Sequence, residues 1–435
     1  MPIYSSDIIL DGTDIPGYRP ALNLDFANSK RLGKGFKLQR DHTNQNKSAL
    51  VNASGHVELV HQHTPRFTHD PMTGESLGLL TEPPLENYVR DSSNINNDLD
   101  SSTNVAFNSS TPDVKDPGAG NRANKVTETT GNGIHHFAFD DGMTYNGRIC
   151  ASIWARRGTR TTIRLHLSGS DNYPGSVNPH INVDLTNGTL LEQSSSVETY
   201  QIEEYPDDWY RITMIANSDG TSPSLFYIMF ENFTSYTGST SNYFYLWGPQ
   251  LTRGWRTSYI ETTGTNETGS SGDELVCEDA SQFYCPTGGT WVIEAYGPRN
   301  HYETGTNHHL MMMVPSDDDQ NKAYQIRFDG GPADIATWGS LTSVTDQWNF
   351  SSPITYVPDQ LYRIALRVKA NDVRFFVDGV SQGGPDTSVS LRTDLTKCYI
   401  GASASFGQPH AGIIRSVKYY KEHFTDAQLA AVTTS

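Results

Sequence analysis

The sequence predicts an all-β protein: an extended N-terminal arm, two antiparallel β-sandwich domains and a short C-terminal helix. Three observations carry this. Charged residues make up only 19% of the 435, while Gly (37), Pro (22) and Tyr (22) join a heavy load of Asn, Ser and Thr, a composition of turns and strands. Short alternating runs recur between turn clusters at intervals near the roughly 8–12 residues expected of sandwich strands. Four cysteines are too few to staple a chain of this size, so its domains must rest on their own apolar cores.

Residues 1–88 read as the arm. Two short alternating runs, Ala49-Leu50-Val51-Asn52 and His56-Val57-Glu58-Leu59-Val60, flank Ala53-Ser54-Gly55 and predict a small hairpin. A two-stranded hairpin is marginal alone in water, so support from another part of the assembly is expected. The arm ends in PRFTHDPMTGESLGLLTEPPLENY, residues 65–88. Asp70-Pro71 and Thr73-Gly74 are turn dipeptides there, and Pro83-Pro84 forces an extended path. Such a chain buries little against itself, so the arm is expected to stay unordered until assembly.

Residues 89–264 open on a polar, turn-rich stretch, 91–125, whose composition alone predicts disorder. Seven strand candidates follow, GIHHFAFDD, GRICASIWARRG, TTIRLHLSG, PHINVDLTNG, WYRITMIANSDG, SLFYIMFEN and NYFYLWGPQL. Ile163, Leu165 and Leu167, and again Ile181, Val183 and Leu185, alternate with polar neighbours. After the spacer GTNETGSSGDELVCEDA, residues 265–435 supply a further series, from GTWVIEAYGP to AGIIRSVKYY, and end in FTDAQLAAV. Thr425 is the expected N-cap of a helix over 426–432, with Asp426 placed to complement its dipole.

Three of these stretches resemble known families. Residues 65–88 resemble a junction signature of tailed-phage virion surface proteins, "PRF-x-x-DP-x-TGES-x-GLL-x-E" followed by an Asn and an aromatic, which precedes one or two sandwich modules. Residues 247–250 and 257–262, WGPQ and TSYIET, resemble the closing strand of a carbohydrate-binding-module-like jelly roll. The run YRIALRVKANDVRFFVDGV and the tail RSVKYYKEHFTDAQLAAV resemble a concanavalin A-like, laminin-G-like jelly roll. The resemblance implies a phage structural protein on the particle surface: a tail fibre, spike or related appendage, homotrimeric, joined to other virion proteins through its arm and attaching to host-surface glycan. The alternative is a capsid decoration or head-fibre protein that binds no sugar. It also implies that 91–125 forms the opening loops and first strand of the middle sandwich.

A formal charge of −17 leaves no basic stripe for nucleic acid. No window approaches the ~20 apolar residues of a membrane span, and the first residues lack the pattern of a secretory signal. The acidic pairs Glu203-Glu204 and Asp207-Asp208 and the triplet Asp317-Asp318-Asp319 lie in turns, and Trp291-Val292-Ile293-Glu294 offers one carboxylate where a glycosidase strand needs more, so no enzyme is expected. Glycan recognition requires flat aromatic faces near turns, which singles out Tyr173, Trp209, Trp255, Trp338 and Trp348 against the plainer reading of packing; Trp154, Trp247 and Trp291 read as core. Calcium is the cofactor the resemblance implies, with Asp317, Asp318 and Asp319, or Asp140 and Asp141, as ligands, against a solvated acidic turn. The adjacent pairs His135-His136 and His308-His309 must point to opposite strand faces, so neither makes a metal pair. Cys277 and Cys285 either close a small ring or, as expected here, remain thiols.

Overall fold

The computed structural model describes residues 17–40, 48–61, 63–97, 99–108, 111, 114–139, 143–231, 234–264, 267–268, 272–299, 307–330, 334–342, 345–404 and 408–434. The protein is all-β, with antiparallel sheets and one short C-terminal helix. Its strands gather into two compact units. They do not follow the division 1–88, 89–264 and 265–435: one unit combines Met1–Asp41, Leu77–Pro83 and Gly272–Ser435, the other His42–Ser76 and Pro84–Ser271.

In the middle sandwich, one sheet orders Val197–Tyr205, Trp209–Asp219, Asn146–Arg157, Tyr243–Arg253, Asn124–Glu128 and Val105–Asn108. The facing sheet orders Thr189–Gln193, His180–Asp184, Thr162–Leu167, Phe226–Met229, His136–Phe139 and Leu99–Thr103. All seven strand candidates form, because their period-two alternation gives each strand one apolar face to bury. Ile149, Ala151, Ile153, Ile163, Leu165, Ile181, Ile212 and Phe244 meet in the core. The stretch 91–125, whose composition alone predicts disorder, contributes the strands Leu99–Thr103 and Val105–Asn108.

The C-terminal sandwich pairs Arg374–Val377, Leu361–Val368, Gly289–Tyr296 and Gly412–Tyr420 in one sheet. The second orders Lys37–Arg40, Asp273–Cys277, Lys397–Ile400, His308–Val314, Tyr324–Asp329, Asp334–Thr342 and Thr345–Ser351. The Asp-Gly hairpin holds, with Asp378 at φ 46° and Gly379 at φ 80°, both left-handed as the turn between Arg374–Val377 and Val380–Ser381 requires. The helix Asp426–Thr433 starts where expected: Gln428 N–H donates to the Thr425 hydroxyl and the Gln428 side chain accepts from the Thr425 N–H. Its Leu429 and Val432 pack with Phe424 on Val292, Ala365, Phe376 and Tyr420, the face of the sheet turned away from the core.

The described residues among the first 88 therefore do not form a separate arm. Leu22–Asp25 runs antiparallel to Gly412–Tyr420, Lys37–Arg40 to Asp273–Cys277, and Leu79 to Thr81 pair with Ile414 to Gly412. Leu22, Leu24 and Leu79 are buried by these additions. A lone strand can bury its apolar face and satisfy its amides only by joining a sheet, and these edges offer both. The predicted hairpin forms over Ser48–Val51 and Val57–Val60 and finds its support within this chain. Ala49 and Val57 pack with Trp154, Tyr205, Trp209, Trp247 and Tyr259, on the outward face of the sheet Val197–Tyr205 to Val105–Asn108. Arg66 of the junction signature is fully buried in the same unit, its guanidinium donating to Ala49 O (3.2 Å) and Ser258 Oγ (2.9 Å).

Candidate functional site

The five aromatic candidates part into core and surface. Tyr173 is buried, its hydroxyl donating to Ser224 Oγ at 2.7 Å, and burial pushes the phenol up to about 12. Trp209 is buried in the layer under the hairpin, its Nε1 donating to Lys115 O at 2.9 Å. Trp348 lies in the C-terminal core against Tyr324 (centroids 4.6 Å), and fills the space above Gly339 where a Cβ would come within 2.3 Å of it. These three rings have no face left for a sugar. A ring that large gains more by burial than exposure, and nearby turn residues do not alter that. Trp255 and Trp338 are half-buried. The Arg148 guanidinium sits 5.3 Å from the Trp255 ring, and Trp338 packs against a cluster holding Val276, Met312 and Tyr399.

The acidic turn is occupied by its own partners. Asp318 accepts from Lys397 Nζ and from the Tyr399 hydroxyl, each at 2.8 Å. Asp319 pairs with Lys322 at 2.9 Å, which with the Asn321 N–H holds its carboxyl below the usual range, and Asp317 accepts from the Asp319 N–H. Asp140 and Asp141 lie outside the described residues. Among the described residues no three His, Cys, Asp or Glu side chains form a group that could hold a metal ion. His135 stacks on Tyr236 (4.3 Å) while His136 meets Tyr227 (5.6 Å), the opposite faces expected of neighbours in a strand. His308 and His309 likewise meet different partners, Pro409 O and Gln325 Oε1. Cys277 and Cys285 are thiols, as are Cys150 and Cys398.

A different constellation emerges on the outward face of the second sheet of the middle sandwich. The core alternation that turns Ile163, Leu165, Ile181, Val183, Phe137 and Ile228 inward turns Arg164, His166, His180, Asn182, His136 and Tyr227 outward. Register aligns them in two rows. Arg164 stands opposite Asn182 on one side and Met229 on the other, and Met229 opposite His136; His166 stands between His180 and Tyr227. The His166 ring lies 6.3 Å from that of His180 and 5.8 Å from that of Tyr227. Asn182 Nδ2 donates to Glu192 Oε2 at 2.5 Å, and Glu192 also lies 3.6 Å from both Arg164 Nη1 and His180 Nε2. Burial, then the positive Arg164 beside it, holds the His166 imidazole down to about 3, and burial with His135 lowers His136. At neutral pH His166 is an uncharged ring with one donor and one acceptor nitrogen. Nδ1 of His136 is buried with no hydrogen-bond partner.

Chemically, this face offers a guanidinium, an amide, neutral imidazole and a phenol ring within neighbouring register positions. The sequence signal lies in the polar residues interleaved in TIRLHL, HINVD and HFAF, which mark the strand face turned away from the core; Arg164 at 7% and His166 at 2% exposure are buried within that face, while His136, His180, Asn182 and Tyr227 are half-buried. Aromatic residues near turns do not point to it, because it is built from the interiors of strands.

Residues 293–430 match the family model described as the concanavalin A-like lectin/glucanases superfamily, of the laminin G type, bearing out the resemblance read from the C-terminal sandwich. No curated protein matches the chain. Among solved structures, the CBM40 module of the Ruminococcus gnavus IT-sialidase bound to α2,3-sialyllactose is similar at 16% identity, over 35% of this chain and 84% of that one, with a TM-score of 0.30. Domains LG4-5 of the mouse laminin α1 chain are similar at 10% identity, over 68% and 89%, with a TM-score of 0.24. The native heptameric SAP-like pentraxin of Limulus polyphemus is similar at 10% identity, over 33% and 68%, at 0.24.

Proposed function

We propose that this chain is a glycan-binding protein whose primary binding surface is the polar sheet face around Arg164, His166, Asn182 and Tyr227, displayed on the surface of a tailed-phage particle as a fibre, spike or related appendage. The observation that carries the binding reading is the in-register array itself. A sugar presents hydroxyls that both donate and accept, together with a C–H face. Asn182, the imidazoles and Arg164 answer the first, and the Tyr227 ring answers the second. The uncharged imidazole of His166 suits such a ligand better than a charged one. The virion setting is supported by the junction signature at residues 65–88, and trimerisation and attachment to other virion proteins belong to that reading.

The binding test is a glycan array probed with the full chain, repeated with Arg164→Gln and Tyr227→Ala. Retention of a defined glycan set, weakened about ten-fold or more by both variants, is the expected result. A blank array, or one that both variants reproduce at full strength, sinks the proposal. Release of reducing ends from host polysaccharide would turn the reading toward hydrolysis. Imaging of particles carrying a tagged chain tests the setting: label on the head lattice would favour capsid decoration, and unlabelled particles would refute both.

A further inference from the structure

A cleft lies in the middle sandwich, on the opposite sheet, where the hairpin Ser48–Val51 and Val57–Val60 meets the loop 116–122. It has a volume of about 250 Å³, at the small end of ligand clefts and of a size for one sugar ring. Its walls include Val57, Leu59, His56, Gly118, Arg122 and Trp247. Trp247 is 2% exposed, and its indole Nε1 is buried with no hydrogen-bond acceptor. A buried donor left unpaired is costly, and it becomes an asset when a ligand brings the acceptor.

The loop beside it is wound tightly. Asp116 Oδ1 accepts from Gly118 N (2.8 Å) and Gly120 N (3.1 Å), its Oδ2 accepts from Arg122 N (2.8 Å), and Val57 N donates to Pro117 O (2.9 Å), tying the hairpin to the loop. Gly118 keeps the indole approachable, since a Cβ there would stand 3.7 Å from Trp247 Cζ2 and 3.3 Å from Val57 O. Arg122 is about half-exposed and bound to Glu261 at 2.6 Å through Nη1, with further donors on the same fork.

Resting on the glycan-binding reading, we propose that this cleft holds one N-acetylated pyranose. The acetamido carbonyl accepts from Trp247 Nε1–H, its methyl group contacts Val57 and Leu59, and ring hydroxyls meet His56 and Arg122. A plain hydroxyl fits less well, because it would bring a second donor beside apolar walls. An acetamido group supplies an acceptor and an apolar tip together.

The experiment titrates the full chain with the methyl glycosides of N-acetylglucosamine and of glucose, followed by calorimetry and saturation-transfer NMR. Expected are binding of the N-acetylated sugar, about ten-fold weaker binding of the glucoside, and about ten-fold loss on Trp247→Phe, which keeps an aromatic ring, smaller than the indole, and removes the donor. His56→Ala, clear of the aromatic layer, is expected to cost about three-fold. Equal affinity for both glycosides, wild-type affinity in both variants, or no binding at millimolar concentration overturns the cleft. If Arg164→Gln abolishes monosaccharide binding while Trp247→Phe preserves it, the sugar sits on the sheet face: the cleft fails and the broader reading survives.

Discussion

Each sandwich has one sheet whose outward face is too apolar for water, and the two units cover it by different means. In the C-terminal unit Val292, Ala365, Phe376 and Tyr420 lie under the helix Asp426–Thr433, which follows the strand Gly412–Tyr420 directly in sequence. In the middle unit the layer is aromatic, Trp154, Trp209, Trp247 and Tyr259, and its cover is a hairpin drawn from residues 48–60. A capped helix brings its own hydrogen bonds and needs only an apolar stripe beneath it. A two-stranded hairpin has little stability alone, so large rings must supply the burial that holds it. The remaining sheets differ more sharply. One turns Val276, Met312 and Tyr399 outward with Trp338 beside them, the other Arg164, His166, Asn182 and His136. A sheet face that carries a polar array instead of an apolar cluster needs no cover to keep apolar surface from water, and it is this face that the proposed glycan binding uses.

The largest test of this contrast is Trp154→Ala, which removes the ring meeting Trp247, Tyr205 and Tyr259 at 5.1, 5.7 and 5.7 Å. A loss of about 4 kcal/mol in urea denaturation is expected, with protease cleavage appearing in the hairpin. A loss below about 1 kcal/mol would mean that the hairpin holds by other contacts. Leu429→Ala, the corresponding change under the helix, should cost about 3 kcal/mol. If it costs more than Trp154→Ala, the contrast between a self-capped and a dependent cover is reversed.

Acid should act on both units. Burial holds His166 in the middle sandwich and His410 in the C-terminal one down to about 3 from the ordinary 6.5. A depressed histidine means that the unfolded chain binds the proton first. The stabilisation is complete above about 6.5 and drains away as pH falls from there toward 3, by at most about 1.4 kcal/mol per unit for each ring. His166→Gln should flatten that slope for the middle unit, measured by denaturation between pH 7 and 4; an unaltered slope would place the titration elsewhere. The smallest effect is Thr425→Ala, which removes half of the capping box and should cost about 1 kcal/mol in the same assay. No measurable change would show that packing alone seats the helix.

Much of the fold was legible in the sequence. TTIRLHLSG and PHINVDLTNG announce Thr162–Leu167 and His180–Asp184 because a strand between core and solvent must alternate, and Thr425-Asp426 announces the helix because its first turn needs an acceptor. The candidate site was legible only in part. Tyr173, Trp209 and Trp348 are aromatics near turns, yet they are buried, because ring burial depends on what packs from across the sandwich, which adjacency in sequence does not reveal. Arg164, Asn182 and His136 come from three strands, and only hydrogen-bonded register sets them beside one another.

The arm shows where local pattern stops. LNLD, KLQR and SLGLLT are short strand-like runs in a turn-rich stretch, too short to bury an apolar face on their own. That physics is correct, and each becomes ordered by adding to a sheet hundreds of residues away along the chain. By itself the sequence determined the strands, their inward and outward faces, the turns and the terminal helix, because these follow from period, φ restrictions and capping within a few residues. The tertiary structure alone decided which edges the early strands extend, which aromatics are roofed, and which polar side chains share a face, because those outcomes depend on partners whose separation in sequence carries no local signal.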